Sequence, residues 1–211
     1  DELPDEMIAA LEAIHTRIAA NNSKWATELE GSYIPLRALR RYDPSCARHP
    51  HIDRGRDERL HVQQHDSNWV IQCHILREQG VAVAGPPPQT LIDPIQPKDL
   101  QRAVLEILRE WWSPMLHDPA RLHSRGYQSF AVLTMCRMLY TLQYGMIVSK
   151  TLAAKWARET LGERWVPLIE RALVGRYNPR SQAQSDDVNG TLDYISYTLE
   201  RAQRFEMLSD A

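Results

Sequence analysis

The sequence predicts a mainly α-helical protein in which a C-terminal antiparallel helical bundle follows a short α/β segment. Three observations predict it. Apolar residues recur at helical spacing through most of residues 66–211, short loops join the helices predicted there, and a period-two pattern runs from Glu28 to Ile34. We therefore expect an α/β segment over residues 1–45, an irregular connection over 46–65 and the bundle over 66–211.

The first segment begins with a predicted amphipathic helix at residues 5–20 and continues with a strand at residues 28–34, which Pro35 ends. Residues 40–59 are polar and lack periodicity, which indicates a long irregular connection. One helix and one strand do not make a stable sheet. Residues 1–45 are therefore expected to be part of a larger domain.

The rest of the chain is predicted to be almost entirely helical. A helix at residues 66–79 ends at Gly80, and a short apolar strand at 81–84 and an extended connection at 90–94 follow it. The bundle helices are predicted from near Pro97 to Pro114 and at residues 127–145, 150–160, 164–175 and 186–208.

The composition excludes several classes of protein. The 211 residues include 25 Lys and Arg against 27 Asp and Glu, so the formal net charge is −2 and gives no general attraction for nucleic acid or an anionic membrane. No apolar stretch approaches the roughly 20 residues that a membrane-spanning helix needs. Three widely spaced cysteines do not form a disulfide framework and favour a reducing cytoplasm. We expect neither nucleic acid nor membrane as a partner.

Eight histidines raise the question of a metal site. Cys46, His49 and His51 lie close together in the sequence, and His61 and His65 are spaced to share a helix face. The chain contains no HExxH and no paired CxxC motif, so a solvated loop is the stronger interpretation and a zinc protein the weaker one. Motifs for a serine nucleophile, a P-loop or a dinucleotide fold are also absent from the sequence.

Two charged residues stand out from the local pattern. Glu30 lies on the predicted strand beside Gly31, where a carboxylate is either a general base or metal ligand, or a charge on a wet strand edge. Lys150 follows Ser149, a good N-cap, and so stands in the first turn of a helix. A cation there opposes the helix dipole, yet together with free N–H groups it suits a phosphate; the alternative is an ordinary surface lysine.

Further candidates lie in the predicted bundle. Arg137, Tyr140 and Tyr144 share one face of the helix at residues 127–145, and a partly buried Arg137 needs an anionic partner, either an internal carboxylate or a ligand phosphate. Trp111 and Trp112 are either core residues or a stacking surface on the substrate side.

An ordered set of segments carries a family resemblance. It includes Leu29–Pro35, residues 67–85, Leu91–Pro94, VLTMCRMLYTL at 132–142, Gly145, Ser149-Lys150 and Ala153–Trp156. These segments resemble the C-terminal part of streptomycin/spectinomycin-type aminoglycoside adenylyltransferases. The resemblance implies that residues 1–45 are the remnant of an α/β nucleotidyltransferase domain and that the bundle follows it.

The resemblance also implies a chemistry. Members of this family use magnesium and ATP to transfer AMP to a hydroxyl of a small-molecule acceptor. By resemblance, Glu30 is the carboxylate that deprotonates the acceptor (or, less strongly, a metal ligand), and Lys150 lies near the ATP phosphates. Arg137 lines the cleft, and Arg176 or Tyr177 lies near the nucleotide. Trp111 and Trp112 would lie on the substrate side.

The sequence departs from the family pattern in two ways, which limits how much of the family's activity can be assigned to this chain. The Gly-Ser turn and the metal-binding D-x-D would stand just before Asp1, so we expect ATP and magnesium to bind only with that segment and this chain to be inactive alone. Between Trp112 and Arg137 the only acidic residue is Asp118, among the basic residues His117, Arg121, His123 and Arg125. A polycationic aminoglycoside is therefore not the expected acceptor.

A different class of function stays open. The chain is alternatively a non-catalytic helical interaction module, whose exposed N-terminal strand pairs with another chain or with a second copy of itself in an oligomer.

Overall fold

The computed structural model describes residues 3–21, 23, 25–55 and 58–209. It divides into two compact units, Asp1–Pro94 and Ile95–Ala211. Helices dominate both, and the single sheet is small, so the mainly α fold class is confirmed. The domain bounds inferred from the sequence, with a bundle from residue 66, stay a prediction.

The first unit places short helices around a three-stranded antiparallel sheet of order β1-β2-β3. Its elements are α1 (Asp5–Ala19), β1 (Gly31–Ser32), α2 (Leu36–Arg40), β2 (Arg48–Ile52), β3 (His61–Gln64), α3 (Asn68–Gln79) and α4 (Pro88–Leu91). Ser32 is paired with His51, and His51 with His61. The central strand thus connects both edges through a histidine.

The sheet corrects the prediction for residues 28–34 and 40–59. Only Gly31–Ser32 is a strand, and the supposedly irregular connection contains β2 and a short 3₁₀ turn at Pro44–Cys46. In β2 the buried alternating positions include His49 and His51, so the period-two pattern is present but is not carried by aliphatic residues. Because β1 pairs with β2 of the same chain, pairing with a second chain stays a prediction.

Two connecting segments also differ from expectation. The run at 81–84 is not a strand, and Val81 and Val83 are almost fully exposed. The proline-rich sequence that follows leads into α4, so part of the expected extended connection is a helical turn. Proline at the first position of a helix loses no intrahelical hydrogen bond, which explains why this segment can turn.

The second unit is a helical bundle, and four of its five helices begin and end within two residues of the predicted positions, whereas α5 ends at Ile107, before the predicted Pro114. They are α5 (Pro97–Ile107), α6 (Arg125–Tyr144), α7 (Lys150–Thr160), α8 (Val166–Gly175) and α9 (Ser185–Ser209). Short 3₁₀ turns occupy Pro114–Leu116, Ala120–His123 and Glu163–Trp165. α5 continues as a π-helical turn at Leu108–Trp112, in which Ser113 N–H donates to the Leu108 carbonyl at 2.9 Å.

Helix α6 is the centre of this bundle, because it contacts α5, α7, α8 and α9. Its apolar residues from Ala131 to Leu142 are largely buried. It ends at Gly145, whose φ of +64° is a left-handed conformation that favours glycine. A Cβ on Gly145 would lie 2.5 Å from Pro97 Cβ, so the chain reverses closely against the start of α5. The tight reversal brings the first turn of α7 back to α6.

Candidate functional site

Three cations from different helices come together at one end of the bundle. Arg137 lies on α6, Lys150 is the first residue of α7, and Arg176 directly follows α8. The Lys150 Nζ lies 3.8 Å from the centroid of the Phe130 ring on α6. Ser149 caps α7 by accepting a hydrogen bond from the Leu152 N–H at 3.2 Å, as the sequence predicts, and this cap fixes where Lys150 begins the helix.

The environment of Lys150 disfavours its charged form. Burial, which is the largest cause, and the positive charges of Arg137 and Arg176 together lower the pKa of the Lys150 ammonium to about 8. Burial also lowers the pKa of Arg137, which nevertheless remains charged at neutral pH because the ordinary value is so high. The cluster therefore concentrates positive charge in a partly desolvated place.

Within the described residues, no carboxylate forms an ion pair with this cluster of Arg137, Lys150 and Arg176. Other arginines of the bundle behave differently: Arg158 pairs with Glu170 at 2.8 Å, and Arg125 and Arg171 both bind Asp187. A partly buried guanidinium normally has an anionic or carbonyl partner. Among the described residues, no carboxylate is paired with Arg137, and its role toward a ligand phosphate stays a prediction.

Arg176 and Tyr177 have different environments in the structure. Arg176 acts on Lys150 electrostatically, whereas Tyr177 is 80% exposed and its ring centroid lies 5.9 Å from the Arg176 Cζ. The two residues are thus neighbours at the same edge of the cluster.

An aromatic group lies along the same helices. Tyr140 and Tyr144, one and two turns beyond Arg137 on α6, have ring centroids 4.7 Å apart. Trp156 of α7 packs edge-on against both rings and donates its Nε1–H to the Tyr144 hydroxyl at 3.2 Å. This contact joins α6 to α7 and supports the first turn of α7.

The two adjacent tryptophans have different environments. Trp112 is 2% exposed and stacks on Phe130 with a centroid distance of 6.0 Å. Trp111 is 44% exposed, with the Arg121 guanidinium 5.2 Å from its ring centroid. Phe130, which the sequence analysis did not single out, therefore connects the Trp112 ring to the Lys150 ammonium. Its spacing of seven residues from Arg137 on α6 was the available signal.

The segment between Trp112 and Arg137 is basic, but one of its arginines is paired with a carboxylate. Arg125 is paired with the buried Asp187, whereas Arg121 lies over the Trp111 and Tyr127 rings. His117 and His123 are exposed.

Glu30 lies in the first unit and is exposed. It accepts hydrogen bonds from Arg54 Nη2 at 2.9 Å and Nε at 3.2 Å, and Arg54 Nη1 also lies 3.7 Å from Glu28. The carboxylate raises the pKa of the Arg54 guanidinium. Glu30 is thus held by a cation in this conformation.

Four of the eight histidines lie in or beside the small sheet, without forming a metal site in the part of the chain that the structure describes. The ring centroids of His49 and His65 are 5.5 Å apart, and those of His51 and His61 are 5.7 Å apart. His61 lies on β3 and His65 just after it, so the expectation that they share a helix face is wrong. Cys46 is an exposed free thiol.

None of the described helices is both long and apolar enough to cross a membrane.

One solved structure shares the fold of this chain. The chain is similar to the structure of the spectinomycin adenyltransferase AAD(9) from Enterococcus faecialis, with a TM-score of 0.64 and 17% sequence identity. The superposition covers 95% of this chain and 80% of that one. At this identity the likeness concerns the fold.

Sequence comparison defines the family. Residues 90–201 match the model of the aminoglycoside adenylyltransferase C-terminal domain, and the chain belongs to that family. It is 34% identical over 133 residues to the aminoglycoside (3'') (9) adenylyltransferase of Escherichia coli, which covers 62% of this chain and 48% of that protein. It is 27% identical over 124 residues to the spectinomycin 9-adenylyltransferase of Staphylococcus aureus, covering 58% and 44%. The chain thus spans about half the length of the curated relatives it matches.

Proposed function

We propose that this protein transfers AMP from ATP to a hydroxyl of a small acceptor, and that Arg137, Lys150 and Arg176 bind the nucleotide phosphates. The observation that carries the proposal is the convergence of these three cations without a described carboxylate partner. The names of the relatives, all adenylyltransferases, support the same reaction class.

The charge balance favours a polyphosphate. Arg137 and Lys150 are partly buried and Arg176 is exposed beside them, so the three cations repel one another, and an anion that enters reduces this repulsion. Lys150 adds its ammonium to the N–H groups of the first turn of α7, an arrangement that suits a phosphate oxygen. Arg137 contributes a planar fork of donors that matches a phosphate bidentately. Tyr177 is exposed beside Arg176, and its ring would contact the nucleotide base or ribose.

The proposal is tested by the binding of ATP to the Arg137→Gln variant. Hydrogen bonds to charged groups are worth roughly 1.5–3 kcal/mol, so we expect a ten- to hundredfold weaker affinity in titration calorimetry. Arg102→Gln, which removes an exposed arginine from α5, is the matched control and should bind as the wild type does. Equal affinities of the two variants would contradict the assignment of the cluster.

Glu30 is proposed as the general base that takes the proton from the acceptor hydroxyl. Arg54 holds the Glu30 carboxylate through a hydrogen bond of 2.9 Å, and the acceptor must displace the guanidinium to reach it. In the protein expressed from the complete coding sequence, Glu30→Gln should abolish pyrophosphate release but leave ATP binding unchanged. Turnover that survives in this variant excludes Glu30 as the base.

Magnesium is a different matter, since no group of three or more metal-ligating side chains occurs in the described part of the chain. The described residues of this chain therefore do not make up a magnesium site. We propose that ATP binding and AMP transfer both need a metal-binding Gly-Ser/D-x-D segment that this sequence does not contain, and that ATP titrations therefore require protein that carries that segment.

For the acceptor we propose a small hydroxyl compound without a cluster of ammonium groups. Arg121, His117 and His123 are exposed between Trp111 and Arg137, and this basic surface repels a polycation. The relatives are named for aminoglycosides and for spectinomycin, so spectinomycin is the first acceptor to compare with uncharged polyols.

A further inference from the structure

A hydroxyl, an imidazole and a carboxylate lie next to one another in the first unit. The hydroxyl of Ser32 on β1 lies 2.7 Å from Nδ1 of His51 on β2. The other ring nitrogen of His51, Nε2, lies 3.4 Å from Oδ1 of Asp53. The antiparallel register, in which Ser32 is directly opposite His51, holds the first pair together.

The positions of the partners are compatible with the tautomer of His51 that carries its proton on Nε2. A carboxylate at Nε2 favours a proton on that nitrogen, which leaves the lone pair of Nδ1 to accept the Ser32 hydroxyl hydrogen. This is the arrangement in which an imidazole acts as a base toward a hydroxyl, and a carboxylate behind it stabilises the imidazolium that forms. His51 is buried, whereas Ser32 is half-buried and accessible.

Two further contacts lie beside Ser32, His51 and Asp53. Asp53 Oδ2 lies 3.7 Å from Nε2 of His61, whose side chain is exposed, so the carboxylate lies between a buried imidazole and one in contact with solvent. Arg54 follows Asp53 and binds Glu30, two residues before Ser32, which provides a cation close to the strand that carries the hydroxyl.

We propose that Ser32, His51 and Asp53 form a second reactive site, in which Ser32 is a nucleophile toward activated carboxylic and phosphonic esters. In the step, the Ser32 Oγ electron pair forms a bond to the electrophilic carbon or phosphorus, and the bond to the leaving group breaks. The hydroxyl proton passes to His51 Nδ1, and the leaving group departs with its electron pair. Asp53 acts through His51 and is a positioning residue.

The test is covalent labelling of the full chain with an alkyl fluorophosphonate, in which fluoride is the leaving group, followed by peptide mass spectrometry. Ser45 is an internal reference, because its exposed hydroxyl also contacts a carboxylate, Asp43 at 2.7 Å, but its described contacts include no imidazole. We expect Ser32 to be labelled at least tenfold faster than Ser45. Ser32→Ala should remove the label without changing the circular dichroism spectrum.

The carboxylate is tested separately, because replacing the buried His51 risks the fold. Asp53 is exposed, so Asp53→Asn should leave the fold intact and slow labelling of Ser32 at least tenfold, while Asp53→Glu should retain most of the rate. Labelling of Ser45 should not change in either variant. Equal labelling of Ser32 and Ser45, or a Ser32 rate that Asp53→Asn leaves unchanged, overturns the proposal. Neither outcome depends on ATP binding or AMP transfer.

Discussion

Asp187→Asn is expected to lower the free energy of unfolding by about 3 kcal/mol at pH 7. Asp187 on α9 is 1% exposed and binds Arg125 of α6 and, at 2.6 Å, Arg171 of α8. It therefore ties three helices together with a buried charge. Removing one partner of a buried ion pair leaves the others uncompensated, which is among the most destabilising single changes. Urea denaturation followed by circular dichroism measures the loss.

The pH dependence of this loss has a definite sign. Burial raises the pKa of the Asp187 carboxyl, but hydrogen bonds and positive charge from Arg171 and Arg125 outweigh it, so the net pKa lies below the ordinary value. The contribution is thus fully present above the unfolded pKa of about 3.9 and is lost as the pH falls through the lower folded pKa. The difference in stability between wild type and Asp187→Asn should therefore shrink as the pH falls below about 4 and through the lower folded pKa. Asp186→Asn, an exposed neighbour, is the control, and a similar loss in it would contradict the prediction.

The affinity for ATP is expected to fall about tenfold as the pH rises from 7 to 9.5. Burial and the charges of Arg137 and Arg176 lower the pKa of Lys150 to about 8, so its ammonium loses the proton in this range. A neutral amine no longer attracts phosphate. The two arginines that face it stay charged, and phosphate groups with a second pKa near 6 are already ionised, so neither accounts for the fall.

Two variants isolate Lys150 in that titration. Lys150→Arg should bind ATP without the decline up to pH 9.5, because its guanidinium does not titrate there, and Lys150→Ala should bind about tenfold more weakly already at pH 7. Lys155→Ala removes an exposed charge from the same helix and should keep the wild-type profile. A decline that persists in Lys150→Arg assigns the titration to another group and refutes this explanation.

Helices were predictable where apolar residues follow the helical period and a cap marks an end, as at Ser149. The sheet was not, because its buried central positions are histidines, and β2 includes Pro50, which has no N–H to donate. Burial of these imidazoles depends on neighbours that local sequence does not specify.

The site was predictable in the same uneven way. Lys150 and Arg137 followed from the resemblance and from positions on helices, and their roles stay predictions. Phe130 lies two turns before Arg137, so its place beside Lys150 was within reach of helix geometry. The partnership of Asp187 with Arg125 joins residues 62 positions apart, and no local period encodes it.

The π-helical turn at the end of α5 bears on how this chain is aligned with its relatives. A π turn holds one residue more than the α-helical turn it replaces, so positions beyond it are offset by one from those of a helix without the turn. Either Trp111, which is exposed, or Trp112, which is buried, can then be aligned with a single tryptophan in such a helix. Homology transfer at this dipeptide therefore requires superposed coordinates rather than residue counting.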